Sequence, residues 1–190
     1  MASRVARGVL ALAGWRVEFD GLPARQGVII VYPHTSNWDF VVSILAKWSI
    51  GLQVSFWGKD SLFRIPVFGH WLRWLGGVAV DRSTAGGVSD QMAARMRLAR
   101  ERDEFLWLAL APEGTRSLRE HWRSGFYQVV VKAAVPLAVV YFDFKGKRVV
   151  FADYLALCGK LDIDLAAIAR ALEPSHGRLP ELATPIRFKP

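Results

Sequence analysis

The sequence predicts a single α/β domain, a mixed central sheet flanked by helices, with a short interfacial helix at the N-terminus. Three observations predict it. The chain has 190 residues, the size of one ordinary domain. Strand-like and helix-like segments alternate along it, the pattern of a sheet covered by helices. No repeat, low-complexity tract or linker interrupts them, so 1–190 reads as one unit.

The first element is Gly8 to Trp15, apolar and flanked by Arg4, Arg7 and Arg16. It is far short of the roughly 20 apolar residues of a membrane-crossing helix. It also lacks the apolar core and small-residue cleavage site of a secretory signal. An interfacial helix fits, with Arg in the headgroups and Val5, Val9, Leu12 and Trp15 facing inward. This possible membrane-surface helix is bounded at about 1–20, and an ordinary first helix packed on the domain fits equally.

Past Phe19, Val28 to Tyr32 is a β-branched run stopped by Pro33. Asp39 to Leu52 predicts a helix whose polar positions Asp39, Ser43 and Lys47 recur every four residues, a narrow stripe on an otherwise apolar cylinder. Val54 to Trp57 and Val78 to Val80 predict strands around a Trp-rich segment from Phe63 to Leu75. Val88 to Arg102 is an amphipathic helix, Phe105 to Ala111 an apolar strand, and Gly125 to Ala134 a helix. Pro136 to Phe144 and Arg148 to Tyr154 predict a hairpin turning at Lys145-Gly146-Lys147. A helix near Ile163 to Leu172 and a strand around Pro185 to Lys189 close the chain.

Composition narrows the function. Lys plus Arg number 25 against 17 Asp plus Glu, a formal charge of +8, yet 52% of residues are hydrophobic, which excludes a disordered basic tail. Eighteen of the cations are Arg, whose planar fork suits phosphate or carboxylate. Cys158 is the one cysteine. An intrachain disulfide framework and a cysteine-rich zinc site are thereby excluded, and a reducing compartment is compatible. The four His residues show no ligand spacing, so no metal site is expected.

Three stretches carry chemistry. In Pro33-His34-Thr35-Ser36-Asn37-Trp38-Asp39, His34 and Asp39 would stand about 140° apart on a continuous helix. If the helix starts near Ser36, His34 lies in the preceding turn and its imidazole can fold back onto the carboxylate. Asp39 would then orient one ring nitrogen and leave the other to take a proton from a hydroxyl. The same Ser36 and Asp39 also make a helix N-cap pair. The second stretch, Pro112-Glu113-Gly114-Thr115-Arg116, follows the most apolar strand, where α/β sheets bind ligands. Arg116 can grip a phosphate, and Glu113 could bond a hydroxyl or hold the turn. The third runs from Gly58-Lys59 to Asp81-Arg82, with Lys59 and Arg82 as further cations at strand ends.

In this order the stretches resemble the glycerolipid acyltransferase family that includes 1-acyl-sn-glycerol-3-phosphate acyltransferases. That family has a His-x4-Asp block (here His34 to Asp39), a block ending in Gly and Arg (Lys59 to Arg82), a Glu-Gly-Thr-Arg block (Glu113 to Arg116) and a late hydrophobic block with Pro (Val135-Pro136). The resemblance spans roughly residues 25 to 145. Many relatives have Asn where Pro33 precedes the motif His, and many have a longer hydrophobic N-terminus.

The resemblance implies acyl transfer from an acyl-CoA or acyl-carrier-protein thioester to a lysolipid hydroxyl. The best-known acceptor is 1-acyl-sn-glycerol-3-phosphate, giving phosphatidic acid. It implies His34 as general base and Asp39 as its partner; Lys59, Arg82, Glu113, Gly114, Thr115 and Arg116 would bind substrate. The thioester is a donor substrate, and no cofactor is expected. A thiol of pKa about 8.5 leaves readily, so direct attack needs a base and oxyanion donors but no covalent nucleophile. The expected setting is an anionic membrane surface on its cytoplasmic face, held peripherally or monotopically. A lyso-aminolipid acceptor, a lipid hydrolase using Ser36, and a nonenzymatic anionic-lipid binder are the alternatives. Nucleic acid is not expected as a partner, because Trp48, Trp71, Trp74 and Trp107 sit in apolar segments rather than among exposed cations.

Overall fold

The computed structural model describes residues 2–80 and 87–189. The elements are α1 (Arg4–Leu12), β1 (Arg16–Glu18), β2 (Gln26–Tyr32), α2 (Asn37–Ser49), β3 (Ser55–Lys59), α3 (Asp60–Phe63), α4 (Phe68–Trp74), β4 (Gly77–Val80), α5 (Gly87–Glu101), β5 (Leu106–Leu110), α6 (Gly125–Ala133), β6 (Leu137–Asp143), β7 (Arg148–Leu155) and α7 (Leu161–Leu172). The strands form one mixed sheet in the order β1-β7-β6-β2-β5-β3-β4, and only the β6–β7 hairpin is antiparallel. The α/β class and the helix-flanked mixed sheet are those the sequence predicts.

Period-two alternation builds two cores from one sheet. Val28, Ile30 and Tyr32 of β2 and Leu137, Val139 and Tyr141 of β6 face α5, α6 and α7. Ile29 of β2 and Ala138, Val140 and Phe142 of β6 face the other way, onto Val42 and Ala46 of α2. Burial on both faces explains why the central strands read as continuous apolar runs.

Two expectations differ. β1 was not predicted: it is three residues long, largely exposed, and exists by pairing in parallel with β7 from Arg16↔Arg148 to Glu18↔Val150. Pro185 to Lys189 forms no strand; its one ladder contact is an isolated Trp122↔Phe188 bridge. The backbone groups of this segment instead serve the loop before α6, with Trp122 N–H donating to Arg187 O at 2.7 Å. Phe188 packs against the rings of Phe126 and Tyr127.

The Trp-rich stretch resolves into α3 and α4. Exposed Trp71 and Trp74 meet Phe40 and Trp48 of α2 edge-on. α1 lies on α2: Ala6 and Leu10 are buried, Ser3 N–H donates to Trp48 O, and the Arg7 guanidinium donates to Ser49 O. Val5, Val9 and Leu12 are exposed. The helix is therefore packed on the domain by one edge and shows an apolar edge outward. Among the described residues, no helix is long and apolar enough to cross a membrane.

Candidate active site

β2, β5, β3 and β4 are mutually parallel neighbours, so their C-terminal ends share one sheet edge. Ligands bind α/β sheets at that edge. His34 follows β2 there, Glu113 to Arg116 follow β5, and Lys59 ends β3. Arg82 lies outside the described residues.

Ser36 caps α2, which begins at Asn37 rather than at Asp39. Its backbone is extended, its Oγ accepts from Trp38 N–H at 3.2 Å, and with Asp39 it completes a capping box. Capping and imidazole orientation, alternatives from sequence, coexist here. Oδ2 of buried Asp39 accepts from the backbone N–H of Thr35 at 2.7 Å and of Ser36 at 2.8 Å. The same oxygen lies 3.2 Å from His34 Nδ1. A carboxylate with two backbone donors and an imidazole is fixed in direction. With Nδ1 engaged, Nε2 is the ring nitrogen available to a ligand, and His34 lines a cavity of about 2080 Å³. Asp39 Oδ1 is buried without a hydrogen-bond partner among the described residues.

Glu113 is also buried, at 2% exposure. Its Oε2 accepts from the backbone N–H of His34, and its Oε1 accepts from the backbone N–H of Thr184 at 2.9 Å. Burial pushes the carboxyl up to about 7, against opposing hydrogen bonds from the N–H groups of Thr184 and His34 and from the Thr184 hydroxyl; the nearby Asp39 charge adds to the rise. The Glu113 carboxyl thus touches the protein's own backbone at both oxygens.

Gly114 turns the chain at φ +66°, where a Cβ would lie 2.6 Å from Arg123 Nε. The left-handed backbone favours glycine here, and the flexible Arg123 side chain lies over it. Thr115 Oγ1 accepts from Ser117 N–H at 3.4 Å. Arg116 is exposed and lines the cavity. Arg119, Arg123 and Arg187, not singled out from the sequence, line it too, with Glu120 the one carboxylate besides Glu113 among the described residues. Nothing in their spacing marks them, because the Gly114 turn and the chain's return through residues 179–188 bring them together. The cavity also has apolar lining, with Phe40 and Ile44 of α2, Phe56 of β3 and Val140 and Phe142 of β6. Among the described residues no cluster of His, Cys, Asp and Glu could hold a metal.

The chain is 19% identical to the 1-acyl-sn-glycerophosphate (LPA) acyltransferase PlsC of Thermotoga maritima, with a TM-score of 0.49 over 76% of this chain and 62% of that one. It therefore spans less than two thirds of that protein's length. No curated protein matches. The family model named Acyltransferase matches residues 16–143, from β1 through β6 and across both motif loops. The chain belongs to the acyltransferase family.

Proposed function

We propose that this acyltransferase moves a fatty acyl group from an acyl-CoA or acyl-carrier-protein thioester to a lysolipid hydroxyl, first among them 1-acyl-sn-glycerol-3-phosphate, giving phosphatidic acid. The observation that carries the reading is the 3.2 Å approach of His34 Nδ1 to Asp39 Oδ2 beside a cavity with an apolar wall and an Arg-rich wall.

His34 Nε2 takes the proton of the acceptor hydroxyl as its oxygen attacks the thioester carbonyl. The new C–O bond forms, the carbonyl oxygen takes negative charge, and Asp39 stabilises the imidazolium. Collapse breaks the C–S bond; the thiolate leaves and receives the proton from the imidazolium. Arg116, with Arg119 and Arg123 nearby, supports an acidic headgroup through paired N–H donors. Lys59, at the end of β3, and Arg82 are proposed as further headgroup ligands, with Gly114 and Thr115 shaping the turn that presents Arg116. Glu113, proposed from the family resemblance for the polar head, acts through the backbone of His34 in this geometry. The apolar wall suits the acyl chain.

A membrane surface suits both substrates, and the outer face fits one. Leu12 is 92% exposed and Trp74 72% exposed, Arg7 and Arg16 lie on either side of the former in the chain, and the chain carries +8. Apolar and aromatic side chains with adjacent Arg make an interfacial anchor.

The test is a panel of lysolipid acceptors with acyl-CoA and acyl-carrier-protein donors, read by product mass, for the wild type and His34→Ala. Phosphatidic acid from the wild type and none from the variant is the expected result. Equal products from both would refute His34 as the base.

A further inference from the structure

We propose that Thr184 is a positioning residue for the base: through Glu113 it fixes the backbone of His34, which makes the segment 176–188 a working part of the active site. This rests on the reading of His34 as the base. The segment lies wholly beyond the residues matched by the family model, 16–143.

Thr184 is fully buried, yet it belongs to no helix or strand, so its polar groups must find partners elsewhere. All of them find the active-site frame. Its N–H donates to Glu113 Oε1 at 2.9 Å, and its Oγ1 accepts from Arg119 N–H at 3.2 Å. Its carbonyl accepts from Tyr32 OH at 3.3 Å and Trp122 Nε1 at 3.2 Å. One residue thus ties the end of β2 to the loop after β5.

Glu113 completes the link, since its other oxygen accepts from His34 N–H. The His34 ring faces Asp39 and its backbone faces Glu113, so the residue is held from two sides.

The same segment grips the motif twice more. Leu179 N–H donates to the buried Thr35 Oγ1 at 3.2 Å, and the Arg178 guanidinium lies 5.4 Å over the Trp38 ring. Gly177 is seated so closely that a Cβ would stand 2.8 Å from Pro33 Cγ and 3.2 Å from Thr35 Oγ1. Pro33 and Thr35 are the two neighbours of His34. A chain segment making these contacts sets where His34 stands, and a misplacement near 1 Å at a reacting group costs about 100-fold in rate.

The experiment compares wild type, Thr184→Val, Thr184→Ser and Gly177→Ala, using palmitoyl-CoA and 1-acyl-sn-glycerol-3-phosphate in detergent micelles. Each variant also gives the ¹⁵N spectrum of the His34 ring, which reports the Nδ1–H bond to Asp39. Valine keeps the shape and the backbone N–H bond to Glu113 but removes the hydroxyl, which also bonds the Glu113 carboxyl and accepts from Arg119 N–H; serine restores it. Thr184→Val is expected to lower kcat about tenfold or more, to leave both KM values within about twofold, and to shift the His34 ring signals. Thr184→Ser is expected to return kcat and the ring signals to near wild type. Gly177→Ala, which presses directly on Pro33 and Thr35, is expected to behave like Thr184→Val while remaining folded by circular dichroism.

Unchanged kcat and unchanged ring signals in Thr184→Val and Gly177→Ala would overturn the proposal. So would a Thr184→Ser variant as impaired as Thr184→Val. A wild type that transfers no acyl group would refute the acyl-transfer reading instead, and the ring spectra would still decide whether Thr184 positions His34.

Discussion

Asp39 holds His34 with the same oxygen that caps α2: Oδ2 lies 3.2 Å from Nδ1 and 2.7 Å and 2.8 Å from the N–H groups of Thr35 and Ser36. The helix start and the imidazole therefore share one anchor. In Asp39→Asn the amide oxygen still accepts from the backbone but no longer opposes the imidazolium with a full charge. We expect kcat to fall by about 10²–10⁴-fold, with a stability loss of only about 1 kcal/mol from the lost charge at the helix N-terminus. Steady-state kinetics beside a thermal melt separates the two, and undiminished turnover would rule out Asp39 as the orienting group.

Glu113 predicts a pH-dependent stability. Its folded carboxyl titrates at about 7, against an ordinary value of 4.5. Below pH 4.5 both folded and unfolded chains hold the proton, and burial costs no charge. Between 4.5 and 7 the unfolded chain releases its proton first, so stability falls as pH rises through this window, by up to about 3 kcal/mol. Glu113→Gln lacks this slope. Urea unfolding of both proteins at pH 4.5 and 7.5 tests it, and parallel pH dependences would contradict the assignment. Asp143 and Asp164 are held below their usual range by hydrogen bonds and act at lower pH, where stability is lost as pH falls.

Arg116 is exposed and has no carboxylate partner among the described residues. Its removal should leave folding intact and weaken a phosphate-bearing acceptor by the worth of a charged hydrogen bond, about 1.5–3 kcal/mol, or tenfold and more in KM. A lyso-aminolipid without phosphate should show no such effect in Arg116→Ala. An equal KM change for both acceptors would remove Arg116 from headgroup recognition.

The outer apolar edge predicts a membrane phenotype without a folding one. Leu12→Glu combined with Trp74→Ala should cut binding to anionic vesicles by about tenfold or more, since burying one large apolar side chain is worth about 1.5–3 kcal/mol. Both side chains are largely exposed, so the thermal midpoint should hardly move. Co-sedimentation at low and high salt measures this, and unchanged binding would show that another surface meets the bilayer.

Much of the fold and part of the site were legible in the sequence, and the failures have a physical pattern. β2, β5 and β6 are buried on both faces and read as apolar runs, while α5 carries a clear period. β1 leaves no pattern in the sequence, because its three residues are largely exposed and pairing with β7 creates the strand. Ile186 and Phe188 looked like a strand because they alternate with polar residues, but their backbone serves a loop. His34 and Asp39 stand out in the sequence because the roles proposed for them need particular side chains. Thr184 was invisible for the opposite reason: its link to Glu113 includes a backbone N–H, which nearly every residue possesses. The convergence of Arg119, Arg123 and Arg187 depends on how the chain returns, which no local spacing encodes.

Ile30 pairs with Leu110 across the β2–β5 ladder, and His34 and Glu113 follow these partners by four and three residues. The two strands thus act as a ruler, setting the meeting point of groups 79 positions apart in the chain. One step along that ruler is about 3.3 Å and inverts every side chain, so no intermediate setting exists. Turnover is therefore a gauge of strand alignment. A poorly packed substitution at Leu108, fully buried on β5 opposite Val28, is expected to lower turnover more than it lowers the circular dichroism signal.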